Sequence, residues 1–269
     1  MKKTFKNLLV VLMAAMALGA FAACGGNDND GLTINEGVLT IASSPNFPPF
    51  GYIADGGGYA GVDIQLATMI AEELGLELRV ESMPFASVLM ATQTGYSDVA
   101  ISSMTINDAR RQNMNFSTPY LISGQVIITL SGNDSLVGKD ADEIIEYLRT
   151  ARMGAGTPAN TGAIFAADVI GANVTNFPST ALMVAGIAQG AEGVEYGILD
   201  HSVAFTMISD HPTLQVIDVP LTREYYGIGV TLGNYELLEK INEALDVIIS
   251  DGRLDAILAQ YGLYMNMGR

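Results

Sequence analysis

The chain has 269 residues, 49% of them hydrophobic, and a formal net charge of −16 from 29 acidic against 13 basic side chains. That length holds two lobes with a core of their own and no covalent staples, while the acid excess, lacking a basic stripe with interleaved aromatics, repels phosphate backbones and excludes nucleic-acid binding. Two histidines and a single cysteine offer no metal-ligand cluster, and the negative charge itself fits either plain solubility or a preference for cationic ligands.

The chain opens with Lys2, Lys3 and Lys6, then an apolar stretch from Leu8 to Phe21, then Phe21-Ala-Ala-Cys24. This reads as a secretory leader over residues 1–23, too short and wrongly flanked for a membrane span. Cys24, the single cysteine, sits where a bacterial lipobox places the residue that becomes diacylated, although Phe21 replaces the usual leucine. A polar Gly-Gly-Asn-Asp-Asn-Asp spacer follows, so residues 24–36 are expected to be a lipidated tether. The alternative is cleavage near Ala23 and a soluble protein with a free thiol. Without the leader the formal charge becomes −19, 10 basic against 29 acidic side chains.

From Leu39 onward short apolar runs alternate with amphipathic segments. Leu39–Ala42 reads as a strand, Asp63–Leu74 as a helix stopped by Gly75, Leu76–Val80 as a strand, Ser87–Thr94 as a helix and Asp98–Ile101 as a strand. This βαβα order predicts a mainly parallel sheet with helices on both faces and ligands beyond the carboxyl ends of the strands. Phe47, Phe85 and Ser102 to Thr105 all follow strands and should share one rim. A second series starts at Gln125–Thr129. It continues with a helix over Ala141–Arg149, a strand near Met153, a helix from Thr161, a strand near Val174, a helix over Thr180–Gln189, a strand over Tyr196–Leu199 and a helix from Ser202. Leu221 to Val230 would cross back, and helices over Tyr235–Ser250 and Leu254–Tyr261 close the chain. Leu237, Leu238, Ile241, Leu245, Ile248 and Ile249 form one helical stripe that reads as core.

The most informative stretch runs from Ala100 to Tyr120. An apolar strand stops at Ser102, Ser103 and Thr105, and Asn107 then opens a short helix carrying Arg110. Hydroxyls and unpaired N–H groups beside a helix start suit an anion, and an arginine there can grip a carboxylate with two parallel hydrogen bonds. The segment resembles the family 3 substrate-binding proteins of bacterial ABC transporters, receptors for amino acids. Further landmarks in the same order are Phe47-Pro-Pro-Phe50, Gly61-Val-Asp-Ile64, Phe116-Ser-Thr-Pro-Tyr120, Gly197-Ile-Leu-Asp200, Tyr226-Gly-Ile-Gly-Val230 and the run from Asp251 to Leu258.

The resemblance implies an α/β, two-lobed, type II periplasmic-binding-protein-like fold with a ligand cleft between the lobes and two hinge crossings. Lobe 1 would be discontinuous, residues 37–121 and 227–269, lobe 2 would span 127–219, and the crossings would be 122–126 and 220–226. The ligand would be a free amino acid, with Ser102, Ser103, Thr105 and Arg110 at its carboxylate and Asp200 at its ammonium. Taken alone, Arg110 reads equally as a surface arginine, and Asp200 as a helix N-cap. Lobe 2 departs from the family's Gly-Thr-Thr turn at Gly154-Ala-Gly-Thr-Pro-Ala-Asn-Thr-Gly162. Thr161 and Asn160 are the chosen contacts, with Gly156 and Thr157 as the rival alignment. Phe47 and Phe85 would wall the ligand's side chain, although each also reads as core. Ser44 stands where receptors for basic amino acids often carry aspartate, which favours a neutral polar ligand, with Asn46 and His201 as possible polar contacts. An acidic ligand would want a second cation that the sequence does not place.

No cofactor and no catalysis are expected. The implied partners are an ABC permease and the membrane, through lipid on Cys24, with the receptor a monomer outside the cell membrane. One rival is a cyclohexadienyl dehydratase on the same fold, which would need a cleft acid such as Glu81 or Glu224. The other is a sensor acting with a partner in trans.

Overall fold

The computed structural model describes residues 31–190 and 193–264, so the leader and Cys24 lie outside the described residues. Two five-stranded sheets with helices packed against them form two α/β lobes. In the first, Glu77–Ser82, Val38–Ser43, Val99–Ala100, Gly229–Thr231 and Met114–Phe116 lie side by side in that order. In the second the order is Asn173–Asn176, Arg152–Ala155, Tyr196–Asp200, Gln125–Leu130 and Leu214–Ile217.

Each sheet is mainly parallel as expected, four of its five strands running the same way, with one antiparallel strand inserted. The first three strands of each order run parallel, whereas Gly229–Thr231 and Gln125–Leu130 are antiparallel to both their neighbours. Each of these two strands comes straight from a crossing and so enters its sheet at the end where the βα strands finish. Leu121–Ser123 and Glu224–Tyr226 pair antiparallel as the two hinge crossings. The crossings run so close that a Cβ on Gly124 would collide with the Thr222 carbonyl.

The helices follow the apolar spacing to within two residues: Val62–Glu73, Phe85–Gln93, Ala141–Leu148, Thr180–Ala188, His201–Ile208, Tyr235–Ser250 and Arg253–Gln260. Ala141–Leu148 starts with a reciprocal cap, Asp140 accepting from the Glu143 N–H and Glu143 from the Asp140 N–H. The helix from Thr161 is α-helical only to Ile164 and then widens into a π-helical stretch, Phe165–Ile170, ended by Gly171 at φ 74°.

The stripe on Tyr235–Ser250 buries Leu237, Ile241, Ala244, Leu245 and Ile248 and packs on Val62–Glu73. Each of the large side chains contributes about 1.5–3 kcal/mol through burial. Leu238 and Ile249, at the stripe's margins, are only partly buried. Part of the expected tether belongs to the folded body: Leu32 is buried and the Ile34 N–H donates to Asp98 Oδ1 at 2.7 Å. Among the described residues no helix is long and apolar enough to cross a membrane.

Candidate functional site

A cleft of about 530 Å³, its open mouth included, lies at the strand ends between the two sheets. From the first lobe it is lined by Ser44, Asn46, Phe47, Phe85, Ser102, Ser103, Thr105 and Arg110. From the second it is lined by Thr157, Asn160, Thr161, Pro178, Ser179, Thr180 and Asp200. The fold therefore brings together the eleven residues chosen from the sequence as ligand contacts, from Ser44 to Asp200, but not the further possibilities His201 and Gly156. Both rival positions for the lobe 2 turn, Thr157 and Thr161, reach the cleft.

Arg110 is positioned by the short helix Asp108–Arg111, capped by the Asn107 side chain, which accepts from the Arg110 N–H at 2.9 Å. The arginine is not a surface residue: only 8% of it is exposed. Its Nη1 donates to the Thr105 carbonyl at 2.7 Å, and its Nη2 reaches across the cleft to the Ala159 carbonyl at 3.1 Å. The guanidinium also lies 5.3 Å over the Phe85 ring, so one face of that ring holds the cation. Burial pulls the guanidinium below its ordinary value, while Asp200 and Glu224 oppose that pull.

Asp200 stands at the N-cap position of His201–Ile208, yet its side chain makes no capping bond. The hinge meets those free N–H groups instead: the Gly124 carbonyl accepts from His201 N–H at 2.7 Å and the Ser123 hydroxyl from Ser202 N–H at 3.3 Å. The carboxyl is thereby left for the cleft, held by the Tyr226 hydroxyl, which donates to Oδ1 at 2.6 Å. Burial, reinforced by the nearby Glu224 charge, pushes the Asp200 carboxyl up to about 7.

Ser103 and Thr105 sit at the cleft, but their hydroxyls are already engaged. Ser103 donates both its N–H (2.7 Å) and its hydroxyl (2.9 Å) to Asp63 Oδ2, and Thr105 Oγ1 donates to Glu224 Oε2 at 2.7 Å. Ser102 Oγ accepts from Ser44 N–H at 3.2 Å, and Ser44 Oγ donates to Asn46 Oδ1 at 3.1 Å, which ties one corner of the cleft together. In lobe 2 Thr157 Oγ1 donates to Asn160 Oδ1 at 2.8 Å, and Asn160 Nδ2 to Thr180 Oγ1 at 3.2 Å. Phe47 and Phe85 both line the cleft; Phe47 packs on Phe50, with ring centroids 6.5 Å apart.

His201 is turned to Asp218, with Nε2 2.7 Å from Oδ1, and is not among the lining residues. Neither Glu81 nor Glu224 lines the cleft; Glu224 instead accepts hydroxyl bonds from Thr105 and Thr222 in the hinge. Pro178, Ser179 and Thr180 escaped the sequence analysis. Their signal is ordinary helix-start chemistry, Ser179 accepting from the Leu182 N–H, at the strand end that faces the cleft. Among the described residues no cluster of His, Cys, Asp and Glu could hold a metal ion.

A probable histidine-binding protein of Neisseria gonorrhoeae is 27% identical over 266 residues, covering 95% of this chain and 96% of its own. An ancestral arginine-binding protein solved with arginine superposes with a TM-score of 0.74 at 32% identity, over 84% of this chain and 99% of its own. An ancestral arginine-binding protein solved with glutamine superposes with a TM-score of 0.74 at 32% identity, over 85% of this chain and 99% of its own. A cyclohexadienyl dehydratase of Pseudomonas aeruginosa is 33% identical over 136 residues, 50% of each chain. Residues 39–264 match the bacterial extracellular solute-binding proteins, family 3, and with its fold and cleft in agreement the chain belongs to that family.

Proposed function

We propose that the chain is an extracytoplasmic receptor, lipid-anchored through Cys24, that binds a neutral polar amino acid and delivers it to an ABC importer by hinge closure. The observation that carries this reading is the charge layout of the cleft. Among the described residues Arg110 and Asp200 are the only charged side chains in the lining, and they come from opposite lobes. A zwitterion needs one cation for its carboxylate and one anion for its ammonium, because a desolvated charge left unpaired costs several kcal/mol. Arg110 would exchange its bond to the Ala159 carbonyl for the ligand carboxylate, and Asp200 would take the ammonium.

The remaining lining, apart from Phe47, Phe85 and Pro178, consists of serine, threonine and asparagine side chains. Those groups satisfy an amide or hydroxyl and supply no partner for a third charge. The glutamine complex of the ancestral relative supports a neutral polar ligand; the names of other relatives point to histidine and arginine. Lobe 1 would comprise residues 37–121 and 227–269, lobe 2 residues 127–219, and the receptor would act as a monomer.

The dehydratase likeness supports one second reading, since Asp200, held near 7, is a cleft carboxyl able to keep a proton. A thermal-shift screen of the purified protein against the twenty amino acids, cystine, citrulline, ornithine and prephenate separates the two. A ligand that binds only the native state raises its stability. Shifts confined to glutamine, asparagine or similar neutral ligands support the receptor. Arginine, lysine or ornithine as the best ligand would overturn the neutral specificity, and turnover of prephenate would overturn the receptor.

A further inference from the structure

A buried carboxylate lies directly behind the cleft and touches no ligand-facing space. Asp63 is 1% exposed, in the first turn of Val62–Glu73. Gly61, at φ 120°, lets that helix start dock on the Phe47–Phe50 loop, with the Val62 and Asp63 N–H groups donating to the Pro49 and Phe50 carbonyls. Asp63 then accepts the Ser103 N–H and hydroxyl on Oδ2 and the Tyr120 hydroxyl on Oδ1, at 2.8 Å. Ser103 is the one non-glycine residue at positive φ among the described residues, at φ 47°. A left-handed conformation is unfavourable for a serine and persists only where the surroundings impose it.

We infer that Asp63 is a positioning residue: its carboxylate holds Ser103 in the left-handed turn that lays Ser102 to Thr105 along the cleft wall, and so shapes the subsite for the ligand carboxylate. The inference rests on the amino-acid reading of the cleft. Asp63 joins three segments of the wall: the loop carrying Phe47, the turn at Ser103, and Tyr120 just ahead of the first crossing. A carboxylate suits that place because it accepts on both oxygens and donates nothing. An amide of the same shape would set an N–H donor against Ser103 or Tyr120.

The test is a double-mutant cycle read by calorimetry with L-glutamine, or with the best ligand of the screen above, together with hydrogen exchange at the Ser103 amide in the ligand-free protein. Asp63→Asn is expected to weaken binding about 10- to 100-fold, the cost of charge-assisted hydrogen bonds, and to speed exchange at Ser103. Ser103→Gly weakens binding to some degree itself. In that background Asp63→Asn should cost less than about threefold, because glycine adopts positive φ without being held. In a Ser103→Ala background, which lacks the hydroxyl bond as glycine does but keeps the strain and the N–H bond, most of the loss should remain. Equal losses from D63N in the parent and in S103G, or a D63N protein that binds as the parent does, would overturn the inference. Should D63N not fold, Tyr120→Phe carries the test: it removes one bond to the same carboxylate and should weaken binding several-fold, and unchanged affinity would overturn it. If the parent binds no amino acid, the reading of the cleft falls separately, and slow Ser103 exchange retained in D63N still refutes the role of Asp63.

Discussion

Replacing Asp200 by Asn should stabilise the ligand-free protein while removing its function, and the size of the gain should depend on pH. Burial raises the Asp200 carboxyl from 3.8 to about 7. The folded state therefore holds a proton that the unfolded state has lost between those two values, and stability falls as pH rises through that window. At 1.36 kcal/mol per unit, the burden is about 1.6 kcal/mol at pH 5 and about 4 kcal/mol above pH 7. These are upper values, because Asp200 lies at a cleft open to water. Asparagine never ionises and still offers an oxygen to the Tyr226 hydroxyl. The advantage of D200N should thus grow by about 2 kcal/mol from pH 5 to pH 8, or about 4–8 °C in Tm for a protein of this size. Thermal melts of both proteins at the two pH values measure it. A D200N advantage that is equal at both pH values, or a D200N protein less stable than the parent at pH 8, would refute the account of a strained, desolvated carboxylate.

The same raised carboxyl should make binding release a proton. Below pH 7 an incoming ammonium ionises Asp200, so calorimetric enthalpies measured in buffers of different ionisation enthalpy should diverge at pH 6 and converge near pH 8, where Asp200 is already ionised and the ligand still carries its ammonium proton. Arg110→Ala should lower amino-acid affinity more than about 100-fold, since it strips the carboxylate's only cation from a buried site; affinity within tenfold of the parent would remove Arg110 from the site. Tyr226→Phe, which deletes the hydroxyl that orients Asp200, should cost about tenfold for an α-amino acid and little for its des-amino analogue. Equal losses for both ligands would make Tyr226 a packing residue. Gly61→Ala should destabilise by more than about 3 kcal/mol, because its Cβ would collide with the Phe50 carbonyl at a φ that L-residues rarely adopt. A normal melting temperature would contradict that geometry.

Much of this arrangement was legible because the residues that carry charge to the cleft follow apolar strands, and strand ends in α/β lobes converge on one rim. The resemblance marked Arg110 and Asp200; Asp200 directly closes an apolar run, whereas Arg110 lies nine residues after one, on the short helix that follows it. What escaped is hydrogen bonding between distant segments. Ser103 and Thr105 read as free donors to a ligand, yet Asp63, forty residues away, and Glu224, 119 residues away, take their hydroxyls. Nothing in the local pattern around Asp63 marks it as more than a first-turn acid. The capping ambiguity at Asp200 was likewise settled by partners that no spacing announces, the hinge carbonyl of Gly124 and the hydroxyl of Ser123. Strands of two or three residues, such as Asn46–Phe47 and Gly51–Ile53, were missed because they are too short to show alternation. The one antiparallel strand in each sheet was missed because its direction depends on where a crossing enters, which hydrophobicity does not encode.

The hinge and the two charged subsites are a single bonded structure, and that bears on how closure could be driven. Thr105, whose carbonyl holds Arg110, pairs with Tyr226 of the second crossing, and its hydroxyl binds Glu224 of the same strand. Tyr226 in turn holds Asp200, while the first crossing caps the helix that begins beside it. The Arg110 side and the Asp200 side thus each stand a short chain of hydrogen bonds from the same two-stranded ribbon, so in the proposed closure a twist of that ribbon would be felt at both. A ligand shifts a conformational equilibrium only by its differential affinity for the two states. On the proposed reading, a zwitterion contacts both charges only when the lobes approach, so its two charged groups supply that difference together. A des-amino acid would reach Arg110 in either state and would therefore close the lobes less, however well its side chain fitted the cleft.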